Sequence, residues 1–132
     1  MKLIAFDKFD LTKINKLVKH QLGNIKLDKG YVFVDNNLKV FGYCILQYVN
    51  KNTIKIDWIY AKKSYGTTFL RRLERILFKK YSKIILKVSI DPNERKDTIM
   101  RRLNFYIKND YRVYDIEFRK KYGPLLSMHK TY

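Results

Sequence analysis

The sequence predicts a single α/β domain of the α+β type, in which a mixed, mostly antiparallel sheet of about seven strands is flanked by three to four helices. Three observations lead to this prediction. A chain of 132 residues has room for one hydrophobic core, so the domain spans residues 1–132. The hydrophobic fraction of 46% is too high for a disordered basic tail. Strand-like and helix-like patterns follow one another as β, α, three β, α, β, α, β, β.

The N-terminal segment carries a strand signal followed by a helix signal. Met1–Phe6 is typical of a strand, and Asp10 or Thr12 can cap the helix that follows. Gly23 ends this helix, because glycine readily adopts the backbone angles found at a helix C-terminus. The apolar positions of the helix recur at helical spacing: Leu11, Ile14, Leu17 and Val18.

Three segments rich in Val, Ile, Tyr and Phe come next: Tyr31–Val34, Lys39–Val49 and Thr53–Ala61. The turn sequences 35–37 and 50–52 separate them, which predicts two hairpins joining three antiparallel strands. Gly42 lies inside the middle strand and indicates a bulge or a close approach of two backbones.

The C-terminal half predicts two helices and three strands. The first helix has an apolar stripe of Phe69, Leu70, Leu73, Ile76, Leu77 and Tyr81. A strand at Lys83–Ile90 and a turn at 91–93 lead into the second helix, whose predicted buried stripe is Ile99, Met100, Leu103, Tyr106 and Ile107. Tyr111–Phe118 and Leu125–Tyr132 then form a closing hairpin around the turn at 122–124.

The charge of the chain points to partners that carry phosphate groups. Lys and Arg number 29 against 12 Asp and Glu, so the formal net charge is +17. Such a surface attracts polyanions and repels basic partners. Candidate partners are nucleic acid, an anionic membrane surface and a phosphorylated small molecule. An alternative explanation is compositional, since the chain is rich in Lys, Ile, Asn and Tyr, as an AT-rich coding sequence would be.

Other features bear on compartment and on metals. The longest apolar run, Val40–Leu46, is too short to cross a bilayer, and Asp7 interrupts any signal-peptide core. One cysteine, Cys44, cannot form an internal disulfide, so we expect a reducing compartment such as the cytoplasm. His20 and His129 lie far apart in sequence without clustered Cys or acidic residues, so no metal site is predicted.

A strand, a short basic loop and a helix start meet at residues 56–70. The first turn of a helix has unsatisfied N–H groups and the positive end of the macrodipole, so it can bind phosphate or diphosphate. Gly66 permits close approach to a ligand, and the donors around it are Lys62, Lys63, Ser64, Thr67 and Thr68. The alternative is that Ser64 or Thr67 only caps the helix.

Three segments resemble the GNAT superfamily of acetyl-CoA-dependent N-acetyltransferases. Lys63–Leu70 resembles the start of the family's first core helix, Asn104–Tyr111 its second core helix, and Ser127–Lys130 its final strand. The resemblance spans nearly the whole chain. It implies acetyl-CoA as cosubstrate, no metal, and an amine acceptor that is a protein or a small molecule.

The sequence departs from the family pattern at two places. The family's diphosphate loop has Gln or Arg, two residues, Gly, one residue, and Gly or Ala, and in the corresponding stretch 61–66 only Gly66 fits. Ile99 stands seven residues before Tyr106, where many members have Asn, so no contact to pantetheine is carried over from that position.

The resemblance also implies roles for individual residues. The cofactor would be held by Ile59, Tyr60, Ala61, Lys62, Lys63, Ser64, Tyr65, Gly66, Thr67 and Thr68. Tyr106 matches the family's acid, and a phenol with a pKa near 10 can protonate a departing thiolate whose pKa is about 8.5. The residues themselves, rather than the resemblance, make Asp57 the candidate base, since burial in its strand would raise its pKa; the family often uses water instead.

Each assignment has an alternative. Tyr106 could be a core tyrosine, Asp57 could pair with a lysine of a neighbouring strand, and Cys44 is more typical of a small buried residue than of a nucleophile. The chain could instead be a basic nucleic-acid-binding module, or a GNAT-like fold that binds CoA or a partner without catalysis. In the nucleic-acid module the phosphate contacts would be Arg71, Arg72, Arg75, Lys79, Lys80, Arg101 and Arg102.

Overall fold

The computed structural model describes all 132 residues and contains seven strands, three α-helices and one turn of 3-10 helix at Phe6–Lys8. The strands lie in one sheet in the order β1-β2-β3-β4-β5-β7-β6. This confirms the predicted fold class. The strands are β1 (Lys2–Ala5), β2 (Gly30–Val34), β3 (Val40–Asn50), β4 (Thr53–Ala61), β5 (Lys83–Ser89), β6 (Arg112–Arg119) and β7 (Gly123–Thr131). The helices are α1 (Thr12–Leu22), α2 (Gly66–Leu77) and α3 (Lys96–Lys108). None of the helices is long and apolar enough to span a membrane.

The chain divides into two compact units, each described separately below. The first unit consists of Met1–Gln47 and Ile56–Ile76, and the second of Tyr48–Lys55 and Leu77–Tyr132. The single domain over residues 1–132 stays a prediction.

In the first unit, β1 pairs antiparallel with β2, and β2 pairs antiparallel with β3. The core contains Phe6, Ile14, Val18, Val32, Val34 and Tyr43. Asp10 is the residue that caps α1, because its carboxylate accepts hydrogen bonds from the N–H (3.2 Å) and the hydroxyl (2.6 Å) of Thr12. These bonds lower the pKa of Asp10. Gly23 ends α1 with a φ of 76°, as predicted.

The start of α2 also belongs to the first unit and packs on the sheet through stacked aromatic rings. Phe69 and Phe33 are both fully buried, with ring centroids 5.0 Å apart and an angle of 9° between the planes. The helix begins at Gly66, three residues before the first apolar residue of the predicted stripe. The hydrophobic pattern marks only the buried face of a helix, and the first three residues of α2 are not buried, so the pattern does not show where the helix starts.

A β-bulge interrupts the pairing of β2 with β3. Phe33 is opposite Gly42 and Val34 is opposite Val40, so Phe41 is the extra residue of β3. A Cβ atom on Gly42 would lie 2.4 Å from the carbonyl oxygen of Tyr60. Both features predicted for Gly42, a bulge and a close backbone approach, are therefore present.

In the second unit, β5 pairs antiparallel with β7, which pairs antiparallel with β6. Its core includes Ile84, Leu86, Val88, Tyr111 and Met128. The stripe predicted for α3 is wrong at Met100 and Ile107, which are each 51% exposed, whereas Ile99 is buried. Met100 and Ile107 are seven residues apart and share a face of the helix, and that face is turned to solvent.

Gly42→Ala tests the close approach at the bulge. The added Cβ would overlap the Tyr60 carbonyl, so we expect the free energy of unfolding to fall by about 1–3 kcal/mol. Urea denaturation followed by circular dichroism measures the loss. Gln47→Ala, at an exposed position of the same strand, is the control and should change stability by less than about 0.5 kcal/mol. Equal stability of the two variants would contradict the close approach of the Gly42 backbone to the Tyr60 carbonyl.

Candidate functional site

The loop between β4 and α2 is a tight turn held by two backbone hydrogen bonds. Lys62 follows the last residue of β4 and donates its N–H to the Phe41 carbonyl at 2.8 Å. Tyr65 donates its N–H to the Lys62 carbonyl at 3.0 Å. Ser64 has a φ of 78°, the left-handed value that a type II turn requires at its third residue. The bulge at Phe41 thus anchors the loop and sets the position at which α2 begins.

The first turn of α2 leaves three N–H groups without an acceptor. The first helical hydrogen bond runs from the Phe69 N–H to the Tyr65 carbonyl at 3.0 Å. The N–H groups of Gly66, Thr67 and Thr68 precede it and donate to no group of the protein. The side chain of Ser64 or Thr67 caps none of them, so the alternative of a merely capped helix is wrong.

The electrostatics of this turn favour an anion. Lys62 and Lys63 are exposed beside it, and the first turn of α2 contains no acidic residue. The positive end of the helix macrodipole adds to the potential of the two lysines. Unsatisfied N–H groups at a positively charged helix start suit a phosphate or diphosphate, and binding at this turn stays a prediction.

Aromatic rings support the loop from the side of β3. The ring of Phe41 lies 4.8 Å from the ring of Tyr65, and the Lys62 ammonium lies 5.0 Å from the centre of the Phe41 ring. The Lys39 ammonium is 5.7 Å from the same ring. The sequence prediction missed this role of Phe41, although the neighbouring Gly42 was the signal for it.

The end of β4 carries four further predicted site residues. Ile59, Tyr60 and Ala61 are half-buried in the strand that leads into the loop. Asp57 lies on the same strand, but its side chain is exposed. The expected burial of Asp57 is therefore wrong, because its position in the strand points the carboxylate toward solvent while Ile56 is buried.

Tyr106, the predicted acid, lies on α3 in the second unit. Its ring packs edge-on against Tyr111, with centroids 5.9 Å apart. Burial raises the pKa of Tyr106 to about 12, and the positive charge of Arg102 opposes that rise. Arg102, one helical turn earlier, is held by Glu94 through two hydrogen bonds of 2.7 and 3.3 Å. The phenol is therefore protonated at neutral pH and has a proton to donate.

The remaining candidates have structural environments of their own. Cys44 is fully buried, and burial raises the pKa of its thiol to about 12, so it is not a reactive thiolate. The rings of His129 and Tyr114 pack with their centroids 4.8 Å apart. Burial lowers the pKa of His129, and the charges of Lys83 and Arg112 lower it further. No three His, Cys, Asp or Glu side chains form an arrangement that could hold a metal ion.

A pocket of about 500 Å³ lies in the first unit beside α1 and the loop that follows it. It is lined by Asn15, Val18, Lys19, Gly23, Asn24, Ile25, Lys26 and Leu27. The lining includes two lysines and two asparagines, so the pocket can accept a molecule that carries an anionic or hydrogen-bonding group.

Comparisons with known proteins relate the chain to acetyltransferases. No family model matches it. An uncharacterized N-acetyltransferase R584 of Acanthamoeba polyphaga mimivirus is 29% identical over 117 residues, which are 87% of this chain but only 28% of that protein.

Solved structures of acetyltransferases match nearly the whole chain. An aminoglycoside 6'-N-acetyltransferase complexed with coenzyme A matches with a TM-score of 0.72 and 15% identity, covering 99% of this chain and 97% of that one. A spermidine N-acetyltransferase chimera from Vibrio cholerae and hSSAT matches with a TM-score of 0.73 and 13% identity, covering 98% of this chain and 94% of that one. A GNAT family acetyltransferase from Elizabethkingia anophelis with acetyl-CoA bound matches with a TM-score of 0.69 and 12% identity, covering 99% of this chain and 97% of that one.

Ser64→Gly tests the geometry of the loop. A left-handed conformation is strained for serine and free of strain for glycine, so we expect the substitution to stabilise the protein by about 0.5–1 kcal/mol. Thermal unfolding measures the change. Lys63→Gly, the control in the same turn, lies where φ is not positive and should destabilise the protein through chain entropy. A loss of stability in Ser64→Gly would contradict the described turn.

Proposed function

From the GNAT fold that this chain has, we propose that it is an N-acetyltransferase that moves an acetyl group from acetyl-CoA to an amine. The observation that carries the proposal is the set of three unsatisfied N–H groups at Gly66, Thr67 and Thr68. Coenzyme A contains a diphosphate, and a helix N-terminus of this kind binds such a group without requiring a particular side chain. The N-acetyltransferase name of the mimivirus relative supports the same reaction, although the chain spans about 28% of that protein.

The diphosphate is proposed to bind at the start of α2. Gly66 leaves room for the phosphates to reach the backbone, and Lys62 and Lys63 supply charge from the preceding loop. The backbone of β4 at Ile59–Ala61 is proposed to hold the pantetheine arm and the thioester. The loop has Ser64 where the family pattern has its first glycine, and we propose that backbone N–H groups and lysines contribute most of the binding.

The proposed reaction is direct attack of the acceptor on the thioester. A lysine-like amine has a pKa of about 10.4, so removing its proton at neutral pH costs roughly 4–5 kcal/mol. The neutral amine forms a C–N bond to the acetyl carbon, and the resulting oxyanion is stabilised by backbone N–H groups. The C–S bond then breaks, the electron pair goes to sulfur, and the amine proton goes to a base. Asp57, acting directly or through water, is the proposed base.

Tyr106 is proposed to protonate the departing thiolate. With a pKa of about 12, its phenol keeps its proton until negative charge develops on the sulfur. The transfer to a thiolate of pKa about 8.5 is uphill in isolation by roughly 5 kcal/mol. The charge of Arg102 lowers the pKa of Tyr106, so the value of about 12 and the cost derived from it already include this effect.

The acceptor is proposed to be an amine that carries no large positive charge. A protein with a net charge of +17 repels polycations such as spermidine, which the name of the Vibrio cholerae enzyme gives as its substrate. Lys19 and Lys26 in the pocket beside α1 favour an acceptor with an acidic group near the amine. We propose this pocket as the acceptor site.

We also propose that the protein acts in a reducing compartment, in accordance with the expected cytoplasmic location. Cys44 is a free thiol inside the core. Disulfides dominate in oxidising compartments, where small domains commonly use cysteines in pairs.

Gly66→Pro tests the proposed cofactor site. Proline is tolerated at the first position of a helix, so the substitution removes one N–H donor without breaking α2. A ligand at one hundred times its Kd stabilises the native state by about 2.7 kcal/mol, so acetyl-CoA should raise the Tm of the wild type. We expect a clearly smaller rise for Gly66→Pro, measured by differential scanning fluorimetry.

Lys96→Pro is the matched control for Gly66→Pro, because it makes the same change at the first residue of α3. Its acetyl-CoA shift should equal that of the wild type. If the wild type shows no shift at millimolar acetyl-CoA, or if both proline variants retain the full shift, the diphosphate does not bind at α2.

Tyr106→Phe tests the proposed acid. The variant should keep the wild-type KM for acetyl-CoA and lose about 10²- to 10⁴-fold in kcat. Because the pKa of Tyr106 is about 12, the wild-type kcat should not fall through tyrosine ionisation up to pH 10. The steady-state rate of free thiol release measures KM, kcat and the pH dependence of kcat. Tyr122→Phe, at an exposed tyrosine, is the control. An unchanged kcat in Tyr106→Phe removes this residue as the acid.

A further inference from the structure

A second basic concavity lies on the first unit, between β1 and the exposed side of α2. This pocket of about 170 Å³ is lined by Lys2, Leu3, Arg72, Arg75 and Ile76. The three basic side chains are exposed, and Leu3 and Ile76 are half-buried beneath them. We call it the α2 side pocket. Its lining combines three cations with two apolar side chains.

The cations of the α2 side pocket have no partners within the protein. Lys2, Arg72 and Arg75 form no hydrogen bond, ion pair or ring contact. Five of the other six arginines have hydrogen-bond or ion-pair partners: Arg71 has Glu74, Arg95 and Arg101 have Asp97, Arg102 has Glu94, and Arg119 has the Ser89 hydroxyl. Three uncompensated cations around one concavity repel each other, and a bound anion relieves that repulsion.

The α2 side pocket is separate from the N–H groups at the start of α2. Arg72 and Arg75 follow Gly66 by six and nine residues on the same helix. A rise of 1.5 Å per residue places them about 9 and 14 Å farther along the axis. One phosphate group therefore cannot contact both the helix N-terminus and Arg75.

We propose that the α2 side pocket binds a phosphate group in the backbone of a nucleic-acid strand. The guanidinium groups of Arg72 and Arg75 can each offer two N–H donors to phosphate oxygens. Leu3 and Ile76 provide an apolar surface for the adjoining sugar. The pocket is open to solvent, so a strand can enter and leave it, and the net charge of +17 attracts such a polyanion at long range. Backbone contacts of this kind position a strand without reading its sequence.

The test measures binding of a fluorescently labelled single strand of about 20 nucleotides to the whole chain at several salt concentrations, without acetyl-CoA. We expect Arg72→Gln/Arg75→Gln to weaken binding about tenfold at 100 mM salt. The slope of log Kd against log salt should become shallower by about 0.7 for each phosphate group that the variant no longer neutralises. Lys2→Gln, a change in a different element of the same pocket, should also weaken binding.

Arg95→Gln/Arg101→Gln is the matched control, since it removes two exposed arginines, one just before α3 and one on α3, and gives the same net charge. The proposal is overturned if this control weakens binding as much, or if Arg72→Gln/Arg75→Gln leaves Kd unchanged. It is also overturned if that double variant abolishes the Tm rise caused by CoA, because the pocket would then serve the cofactor. The assay contains no acetyl donor, so its outcome is independent of the proposed transferase activity.

Discussion

The hydrogen bond from the Lys62 N–H to the Phe41 carbonyl is the interaction on which the candidate site depends. Phe41 is the extra residue of a bulge, and Gly42 beside it allows β3 to approach the end of β4. With Lys62 held there, the turn through Ser64 starts α2 immediately afterwards. No side chain of this loop accepts a hydrogen bond from the start of the helix, so the first three N–H groups of α2 remain available to a ligand.

The distribution of charge follows from the shortage of acidic residues. Only 12 Asp and Glu are present for 29 Lys and Arg, so most cations cannot be paired inside the protein. Some acids neutralise nearby arginines, as Glu74 on α2 does for Arg71 and Glu94 in the loop before α3 does for Arg102. The loop before α2 and the α2 side pocket receive no such acid. Both places are therefore suited to phosphate groups, one through backbone N–H groups and the other through guanidinium groups.

Sequence periodicity predicted the order of the elements because alternating and helical patterns record which side chains are buried. It could not predict where α2 begins, since the first turn of that helix has no buried side chain. The predictions that Asp57 is buried and that Met100 and Ile107 lie on the buried face of α3 were also wrong. For α3, the packing of neighbouring elements decides which face is exposed, and the sequence of the helix alone does not contain that information. For Asp57, the alternation of side chains along β4 places it on the face opposite to Ile54 and Ile56, so its exposure was readable from the sequence. Gly42 was predictable because only glycine fits a close backbone approach.

Binding of the CoA diphosphate at the start of α2 is measured most directly by titrating ¹⁵N-labelled protein with CoA. The titration is monitored through the backbone amide resonances of the first turn of α2. Diphosphate binding should move the signals of Gly66, Thr67 and Thr68 more than those of other helix starts, such as Lys96–Thr98 in α3. If CoA binds while these three signals stay in place, or if no signal moves at millimolar CoA, the N-terminus of α2 is not the cofactor site.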